Sequence, residues 1–517
     1  MRITCVGGGP AGLYFAVLAK LADPRHEVTV LERNPAGVTY GWGVVFWDDL
    51  LDDLFAHDPV SARRIWDAAC KWDEYEVRAT GKATTHQAGY GFSLGRHKLL
   101  DILAERAAEL GVDLRYLSSL SLSPSSSPSS SPSSSPSPSP FPSPSSLSSP
   151  SPSLLDADLV VACDGAGSRI READAGHFGA EVATGTNKYI WMGTPYRFKT
   201  FTFGFEKTPA GWIWFHAYPF SDEASTFIVE CQPATWAALG FDRLDGRQSS
   251  DRLAAIFASH LNGAPLIDQR AETGGTGWLN FRRVTTQRWD HGNVVLMGDA
   301  AHTTHFAIGS GTKLAMQDAM ALAAAIATSR VPASPGTASP GTASPGRARP
   351  GPGPGSPGPA SPGPGPASPG PASPGPASPG PGPARPGPGA PGELAAALER
   401  YEDTRKAALA PLQRAAKASS EWFERMPEYG DLPAKQFSYA LSNRRGEYPR
   451  WRHALHMTTQ FPPTRAMLRR ALTLRRALRA RRRTKAHPAD QHNLIHSTQL
   501  STAPDRHPSD LSFSPPQ

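Results

Sequence analysis

The glycine-rich segment at residues 7–12, GGGPAG, constrains the fold of this chain more than any other feature. An apolar run precedes it, and apolar residues at helical spacing follow it. Gly7 permits a tight turn, Gly9 lets the backbone approach a pyrophosphate, and Gly12 lets the helix pack closely on the strand. Because the N-terminus of a helix attracts anions, this order of strand, loop and helix predicts a dinucleotide-binding fold.

A carboxylate follows the loop at the spacing expected of a nucleotide-binding acid. A second apolar strand is predicted at residues 27–31, and Glu32 comes 20 residues after the last glycine of the loop. An acid at this place accepts hydrogen bonds from ribose hydroxyls. We therefore predict cofactor contacts by Glu32 and Arg33, and by Pro10 and Ala11 within the loop.

Two more predicted strands end in polar residues. One is followed by Asp164 and Gly165, and the other by Gly298 and Asp299. Ligands of parallel α/β sheets bind at the carboxyl ends of the strands. Both pairs are therefore predicted to face the same ligand as the glycine loop.

Taken in order, these motifs resemble those of the single-component FAD-dependent aromatic hydroxylases of the para-hydroxybenzoate hydroxylase type. The resemblance implies that the glycine loop holds the FAD pyrophosphate. It implies that Asp164 lies near the pyrophosphate and the arriving NADH or NADPH, that Asp299 binds the ribityl chain, and that Arg96 contacts FAD. Gly309 and Gly311 precede a predicted helix whose N-terminus can face the cofactor.

Within that family, the chain is most similar to the branch that contains the CoA-thioester hydroxylases of salicylyl-CoA and anthraniloyl-CoA and the violacein-pathway hydroxylases. The segments that carry this similarity are residues 40–46, 187–193, 215–220, 225–230 and 305–312. The resemblance implies an FAD- and NAD(P)H-dependent monooxygenase that uses O₂ to hydroxylate an aromatic ring through a flavin C4a-hydroperoxide. It implies a salicylyl-CoA-like aryl thioester as the substrate.

Other functions stay open at this point. An indole or tryptophan-derived ring is the alternative substrate, and non-hydroxylating flavin reductases and proteins that only bind a ligand share the fold. Residues 211–214, GWIW, begin like the signature of flavin halogenases, but the continuation FHA at 215–217 departs from it.

Three side chains are candidates for contact with the reacting groups. His305 follows the Gly298–Asp299 pair on the turn that the resemblance places beside the flavin. His216 and Tyr218 alternate on one predicted strand, so both face the same side and can reach a substrate. The alternative role of these histidines is structural, with the ring satisfied by backbone carbonyls.

We expect an α/β protein with a Rossmann-like FAD-binding domain of the glutathione-reductase type, an inserted β-sheet substrate domain and C-terminal helices. A Ser/Pro tract and a Pro/Gly/Ala/Ser tract lack the apolar periodicity of folded segments and are expected to be disordered inserts. The predicted boundaries are: FAD-binding parts at 1–117, 154–175 and 285–330, inserts at 118–153 and 331–392, the substrate domain at 176–284, a helical region at 393–440, and a basic, largely disordered tail at 441–517.

The net charge of +7 does not indicate nucleic-acid binding, because it is concentrated in one place. Ten basic residues and no acid occur between Arg465 and Lys485, and removing these ten charges leaves −3 for the rest. That segment predicts a basic amphipathic helix. The four cysteines show no metal-ligand spacing, so no metal site is expected. Without a signal-peptide pattern or a long apolar run, we expect a cytoplasmic protein without a transmembrane segment.

Overall fold

The computed structural model describes residues 1–118, 157–270, 277–328, 391–446 and 450–486. Nearly all of both predicted low-complexity inserts lies outside these residues, so the expectation of disorder there stays a prediction.

The strands in chain order are β1 (Arg2–Val6), β2 (Glu27–Leu31), β3 (Gly43–Phe46), β4 (Cys70–Ala79), β5 (Thr85–Gly95), β6 (Asp113–Arg115), β7 (Leu159–Ala162), β8 (Glu181–Thr194), β9 (Phe201–Thr208), β10 (Gly211–Pro219), β11 (Ser225–Cys231), β12 (Leu279–Thr285), β13 (Asp290–His291) and β14 (Val294–Leu296). The helices are α1 (Pro10–Ala22), α2 (Asp48–His57), α3 (Pro59–Ala68), α4 (Arg96–Glu109), α5 (Arg169–Ala173), α6 (Ala175–Phe178), α7 (Pro233–Ala238), α8 (Gly246–Ile256), α9 (Ala258–Leu261), α10 (Gly311–Thr328), α11 (Pro391–Glu424), α12 (Met426–Tyr429), α13 (Ala434–Asn443), α14 (Arg450–Thr459) and α15 (Pro462–Ala486). Two 3₁₀ turns, Gly298–Ala300 and Phe306–Ile308, connect β14 to α10.

Within the described residues the first sheet has six strands in the order β13-β14-β7-β1-β2-β6. The strands from β14 to β6 run parallel. Every residue of β7 is buried, as expected of a parallel strand that is covered on both faces. Helix α1 packs against α4 and α10, and α10 packs against α11. This layered arrangement confirms the predicted α/β fold with a parallel, dinucleotide-binding sheet.

The second sheet has eight strands in the order β12-β8-β11-β10-β9-β4-β5-β3 and is antiparallel except between β4 and β9. Its strands come from two separate parts of the chain, residues 43–95 and 181–285. The sequence analysis assigned residues 1–117 to the FAD-binding domain and began the sheet domain at 176. The structure differs because β3, β4 and β5 belong to the second sheet, which they join through the pairing of β4 with β9.

The basic C-terminal segment also differs from the expectation of a largely disordered tail, since α14 and α15 are helical and α15 packs on β4 and β5. Arg483 pairs with Asp48 at 2.7 Å and with Asp52 at 2.6 Å. Arg476 pairs with Asp73. Carboxylates that are distant in sequence thus neutralise the arginines and hold the helix on the sheet. Residues 487–517 of the predicted tail lie outside the described residues.

Candidate active site

A cavity of about 1110 Å³ is lined by both sheets and by the C-terminal helices. Small-molecule pockets usually measure roughly 300–1,000 Å³, so this one has room for a large cofactor together with a substrate. It extends from the glycine loop at the end of β1 to the helices α13, α14 and α15.

The three glycines of the first loop have different surroundings. Gly7 has a φ of +118°, and a Cβ atom there would lie 2.3 Å from the carbonyl oxygen of Cys163. A Cβ on Gly12 would lie 2.2 Å from the oxygen of Gly7, so only glycine allows α1 to pack this closely. A Cβ on Gly9 would meet nothing within 4 Å, because Gly9, Pro10 and Ala11 line the cavity. The N-terminus of α1 therefore faces open space that an anion can fill, with no side chain capping it.

The segment that follows β7 forms the adjoining wall through Cys163, Gly165 and Ala166. Gly165 lines the cavity, and a Cβ there would meet nothing within 4 Å. Asp164 is not part of the wall; its Oδ2 accepts a hydrogen bond from the backbone of Arg169 at 2.9 Å and its Oδ1 has no partner among the described residues. Arg171 is fully buried and donates to the carbonyl oxygens of Ala166 and Ala300, which ties this segment to the Gly298 turn.

Asp299 and Arg96 both line the cavity. Burial within the protein raises the pKa of Asp299, and the nearby His302 and Arg96 oppose this shift. The carboxylate itself is open to the cavity. Burial lowers the pKa of Arg96, and the charges of Asp299 and Glu32 oppose this shift. Arg96 is anchored through Nε, which donates to Oγ1 of Thr39 at 3.2 Å. Arg96 and Asp299 thus bring one positively charged group and one carboxylate to the cavity wall.

Glu32 and Arg33 do not line the cavity. The Glu32 carboxylate accepts from the backbone nitrogen of Gly8 at 2.7 Å and from the backbone nitrogen of Asn34 at 2.9 Å. Arg33 is exposed. In this structure Glu32 stabilises the glycine loop itself, so the predicted ribose contact stays a prediction.

The second glycine loop begins α10. Gly309 and Gly311 line the cavity. Gly309 has a φ of +64°, and a Cβ there would lie 2.7 Å from Cγ2 of Val45. A Cβ on Gly311 would meet nothing within 4 Å, so the start of α10 is as open to a ligand as the start of α1.

Sequence reasoning missed the buried carboxylate that orders the Gly298 turn. Asp318 lies on α10 and accepts from the backbone nitrogen of Gly298 at 3.0 Å and from Nε of Arg405 at 2.6 Å. Its Oδ2 also lies 2.8 Å from Nε2 of His302. Burial acts to raise the pKa of Asp318, but His302 and Arg405 outweigh it and lower that pKa. The sequence signal that could have identified Asp318 is its position as the one acid in a largely apolar helix.

The middle of the cavity has an aromatic wall. His216 lies among these rings, with its ring centre 4.9 Å from that of Phe203 and 5.9 Å from that of Phe306. Its Nε2 has no hydrogen-bond partner among the described residues. Burial lowers its pKa well below the ordinary value, and Arg444 and His305 add to this effect, so the ring is neutral. The other aromatic residues that line this part, called the aromatic chamber, are Tyr189, Trp191, Phe201, Phe203, Tyr218, Phe281 and Phe306.

Tyr218 lines the same cavity as His216, as the alternation along β10 predicts. Its hydroxyl donates to the carbonyl oxygen of Gly43 at 2.7 Å, and its ring stacks on Phe201 with centres 5.2 Å apart. The hydroxyl therefore joins β10 to β3, and the side chain is fixed in the cavity wall.

His305 does not line the cavity, whereas its neighbour Phe306 does. The Nδ1 atom of His305 accepts from the backbone nitrogen of Ala307 at 3.3 Å, and the ring packs on Phe281. Burial, with a smaller effect of Arg444, lowers the pKa of His305 to about 3. The structure thus gives this histidine a role in shaping the turn, and the predicted contact with flavin or substrate stays a prediction.

The cavity wall is strongly basic. Arg444 donates to the carbonyl oxygen of Ala307 at 3.0 Å, and Arg445 donates to that of Ile308 at 3.3 Å, so both hold the turn at Phe306–Ile308 from the end of α13. Asp299 is the one carboxylate among the described lining residues. The lining arginines are Arg96, Arg270, Arg282, Arg444, Arg445 and Arg475.

One group of side chains with metal-ligating atoms occurs outside this cavity, among the residues that the structure describes. It consists of Asp174, His177 and His291, whose ligand atoms lie within 4.8 Å of one another. The two imidazole rings stack 3.8 Å apart, and Nδ1 of His291 lies 2.5 Å from Oδ2 of Asp174. These contacts already pair the three side chains, and the expectation of no metal stays a prediction.

The cavity fits FAD. Gly9, Gly165 and Gly311 leave space where any side chain would intrude, and two helix N-termini face that space, as a pyrophosphate requires. Arg96 supplies a positive charge in the same region.

Among the residues that the structure describes, none of the helices has both the length and the apolar character of a membrane span.

Comparison with known proteins agrees with this geometry. The sequence model of a family described as an FAD binding domain matches residues 148–336. Salicyloyl-CoA 5-hydroxylase from Streptomyces sp. is 38% identical over 332 residues, covering 62% of this chain and 58% of that protein. The chain therefore spans less than two thirds of that relative. A 3-hydroxy-4-methyl-anthranilyl-(aryl-carrier protein) 5-monooxygenase from Streptosporangium sibiricum is 30% identical, covering 87% of this chain and 96% of that protein.

Protodeoxyviolaceinate monooxygenase from Chromobacterium violaceum is 31% identical, covering 63% of this chain and 80% of that protein. Among solved structures, PqsL of P. aeruginosa in complex with 2-aminobenzoylacetate covers 86% of this chain and 99% of its own, with a TM-score of 0.52 at 14% identity. The flavin-dependent halogenase CmlS covers 87% of this chain and 68% of its own, with the same TM-score at 15% identity. At these identities the two structures share the fold alone.

Proposed function

Because the chain belongs to the family of FAD-dependent aromatic monooxygenases, we propose that it hydroxylates the ring of an aryl thioester similar to salicylyl-CoA, with NADH or NADPH as the electron donor. The observation that carries this proposal is the single cavity, which joins the glycine loop to the aromatic chamber and has six arginines and one carboxylate in its described wall. Such a wall attracts an anionic substrate as well as the FAD pyrophosphate. Two relatives are named for thioester-linked aryl substrates.

In the proposed reaction one atom of O₂ becomes the new ring hydroxyl and the other leaves as water. NAD(P)H supplies two electrons and becomes NAD(P)⁺, and one proton from solvent completes the water. Bound FAD supplies the redox chemistry that connects the donor to O₂. Gly9, Gly165, Asp299 and Gly311 would hold it, since they line the inner part of the cavity.

The protein's own contribution is to position the ring and to exclude water. Aromatic side chains suit both tasks, because they stack on an aryl substrate and leave little polar surface. His216 supplies a polar atom inside this chamber that is not already paired among the described residues, its Nε2. A neutral imidazole there can bond a substrate hydroxyl or carbonyl and fix the orientation of the ring.

An indole or tryptophan-derived ring is the second candidate substrate. The aromatic chamber favours it, since an indole needs no cationic partner, and one relative is a protodeoxyviolaceinate monooxygenase. The outer arginines would then have no ligand.

Steady-state oxidation of NADH and NADPH by the FAD-loaded protein distinguishes these substrates. We expect salicylyl-CoA to accelerate the oxidation and to gain one oxygen atom, detected by mass spectrometry of the product. Acceleration by tryptophan but not by the thioester would select the second candidate. No acceleration by either, with no hydroxylated product, would leave a flavin reductase or a ligand-binding flavoprotein.

A further inference from the structure

The cavity continues beyond the aromatic chamber into an outer lobe between β5 and the C-terminal helices. Gln87, Ala88 and Gly89 of β5 form one side of this lobe. The residues on the other side include Tyr439, Arg445, Trp451, Leu455, Leu472 and Arg475. The outer lobe is therefore built largely by α13, α14 and α15.

Two arginines line the outer lobe: Arg475, and Arg445, whose Nη2 already donates to the carbonyl oxygen of Ile308. Carboxylates that face α15 from the rest of the protein, such as Asp48 and Glu74, pair with other arginines of that helix. Arg475 makes no ion pair within the described part of the chain and is exposed. The Nε of Arg445 is buried and has no hydrogen-bond partner among the described residues. No carboxylate lines the outer lobe in the described residues.

Much of the remaining wall is apolar or uncharged. Trp451, Leu455, Leu468 and Leu472 line it beside the backbone of β5. A ligand that fits this lobe has a long, largely uncharged stem and a terminal anion with several oxygen acceptors. Guanidinium groups favour phosphate for this role, because their N–H groups match its oxygens in pairs.

We propose that the outer lobe binds the 4′-phosphopantetheine arm of the aryl thioester, with the phosphate at Arg445 and Arg475. This inference rests on the proposed function and deepens it. The aryl ring lies in the aromatic chamber beside His216, the uncharged arm runs along α14 and α15, and the phosphate lies at the outer end. The arm is common to CoA and to carrier proteins, so one lobe serves a thioester from either source.

Equilibrium binding tests this without any turnover. Isothermal titration of the full-length, FAD-loaded protein compares 4′-phosphopantetheine with pantetheine, which lacks the phosphate. We expect the phosphate to improve the affinity about tenfold, the effect of one charge-assisted hydrogen bond or more. Arg475→Ala should abolish this difference. Arg470→Ala is the matched control, because Arg470 is an exposed arginine of the same helix that does not line the cavity.

Equal affinities for the two compounds in the parent protein would overturn the inference, as would an equal effect of the two substitutions. If CoA binds more tightly than 4′-phosphopantetheine, the inference is supported and free CoA is the source of the thioester. If the two bind equally, the inference is supported and a carrier protein is the source of the thioester. Failure of the proposed function has a different signature: the phosphate-dependent affinity persists, but neither thioester is hydroxylated.

Discussion

The Nε2 atom of His302 lies 2.8 Å from Oδ2 of Asp318, and both side chains are buried. The same carboxylate binds the backbone nitrogen of Gly298 and the guanidinium of Arg405. One buried charge therefore fixes the turn that carries Asp299 and joins it to α10 and α11. The turn depends on this carboxylate for its shape.

Replacing that carboxylate should loosen the turn and destabilise the protein. Asp318→Asn removes the charge that balances Arg405, which is itself buried. Breaking a buried pair in this way costs about 3–5 kcal/mol. Chemical denaturation should show this loss, together with weaker FAD retention. The control is Asp113→Asn, whose pair with Arg115 is about half exposed and should contribute less than ~1 kcal/mol. Equal stability of the two variants would contradict the assigned role of Asp318.

The glycines of the first loop should respond differently to substitution. Gly9→Val places a side chain in the space assigned to the pyrophosphate, where its Cβ would meet no protein atom within 4 Å. We expect the apo protein to unfold at nearly the parent temperature but to lose its flavin absorbance on purification. Gly12→Ala should instead destabilise the apo protein by about 1–3 kcal/mol, because its methyl group collides with Gly7. A Gly9→Val protein as yellow as the parent would show that the loop does not hold FAD.

His216 and Tyr218 should differ in their effects on coupling. His216→Phe keeps a ring in the chamber but removes the unpartnered nitrogen. We expect the fraction of NAD(P)H that yields hydroxylated product to fall about tenfold, with the remainder appearing as hydrogen peroxide. Tyr218→Phe removes a hydroxyl that already binds Gly43, so it should cost about 1 kcal/mol of stability and leave coupling near the parent value. Unchanged coupling in His216→Phe would argue against a substrate contact by this residue.

Glu230 should make stability depend on pH. Burial raises its pKa from 4.5 to about 7, although Asn187 and Trp214 donate hydrogen bonds to it. Because the folded pKa exceeds the unfolded one, the stabilising contribution is complete below about pH 4.5 and is lost as the pH rises towards 7. The full shift corresponds to about 3 kcal/mol. The unfolding free energy of the parent minus that of Glu230→Gln, measured from pH 5 to 8, should show this decline, because the opposing contribution of the buried neutral His216 and His305 is the same in both proteins. Parallel profiles would show that Glu230 does not cause it.

Local sequence could predict which segments meet at the inner part of the cavity. The glycine loop, the Asp164–Gly165 pair and the Gly298–Asp299 pair are short motifs whose geometry follows from strand ends and helix starts. The structure brings Gly9, Gly165 and Asp299 to one cavity. These contacts depend on backbone geometry that a few adjacent residues determine.

Contacts between distant segments could not be predicted in this way. The apolar residues Met467, Leu474 and Leu478 recur at helical spacing in the predicted basic amphipathic helix, and they are 68%, 62% and 50% exposed. Arginines of this helix face the rest of the protein instead, because they form ion pairs there with carboxylates such as Asp48 on α2. Periodicity along one helix cannot show which face meets a partner when that partner is some 400 residues away.

The most direct test of the account is the origin of the oxygen in the product. The FAD-loaded protein is supplied with salicylyl-CoA, with NADH or NADPH, and with O₂ that carries a heavy oxygen isotope, all in unlabelled water. The mass of the product is then measured by mass spectrometry. We expect a hydroxylated thioester that carries one heavy oxygen atom and forms only when all three reactants are present. Rapid NAD(P)H oxidation with the thioester recovered unchanged, or a hydroxyl that derives from water, would contradict the proposed monooxygenation of an aryl thioester.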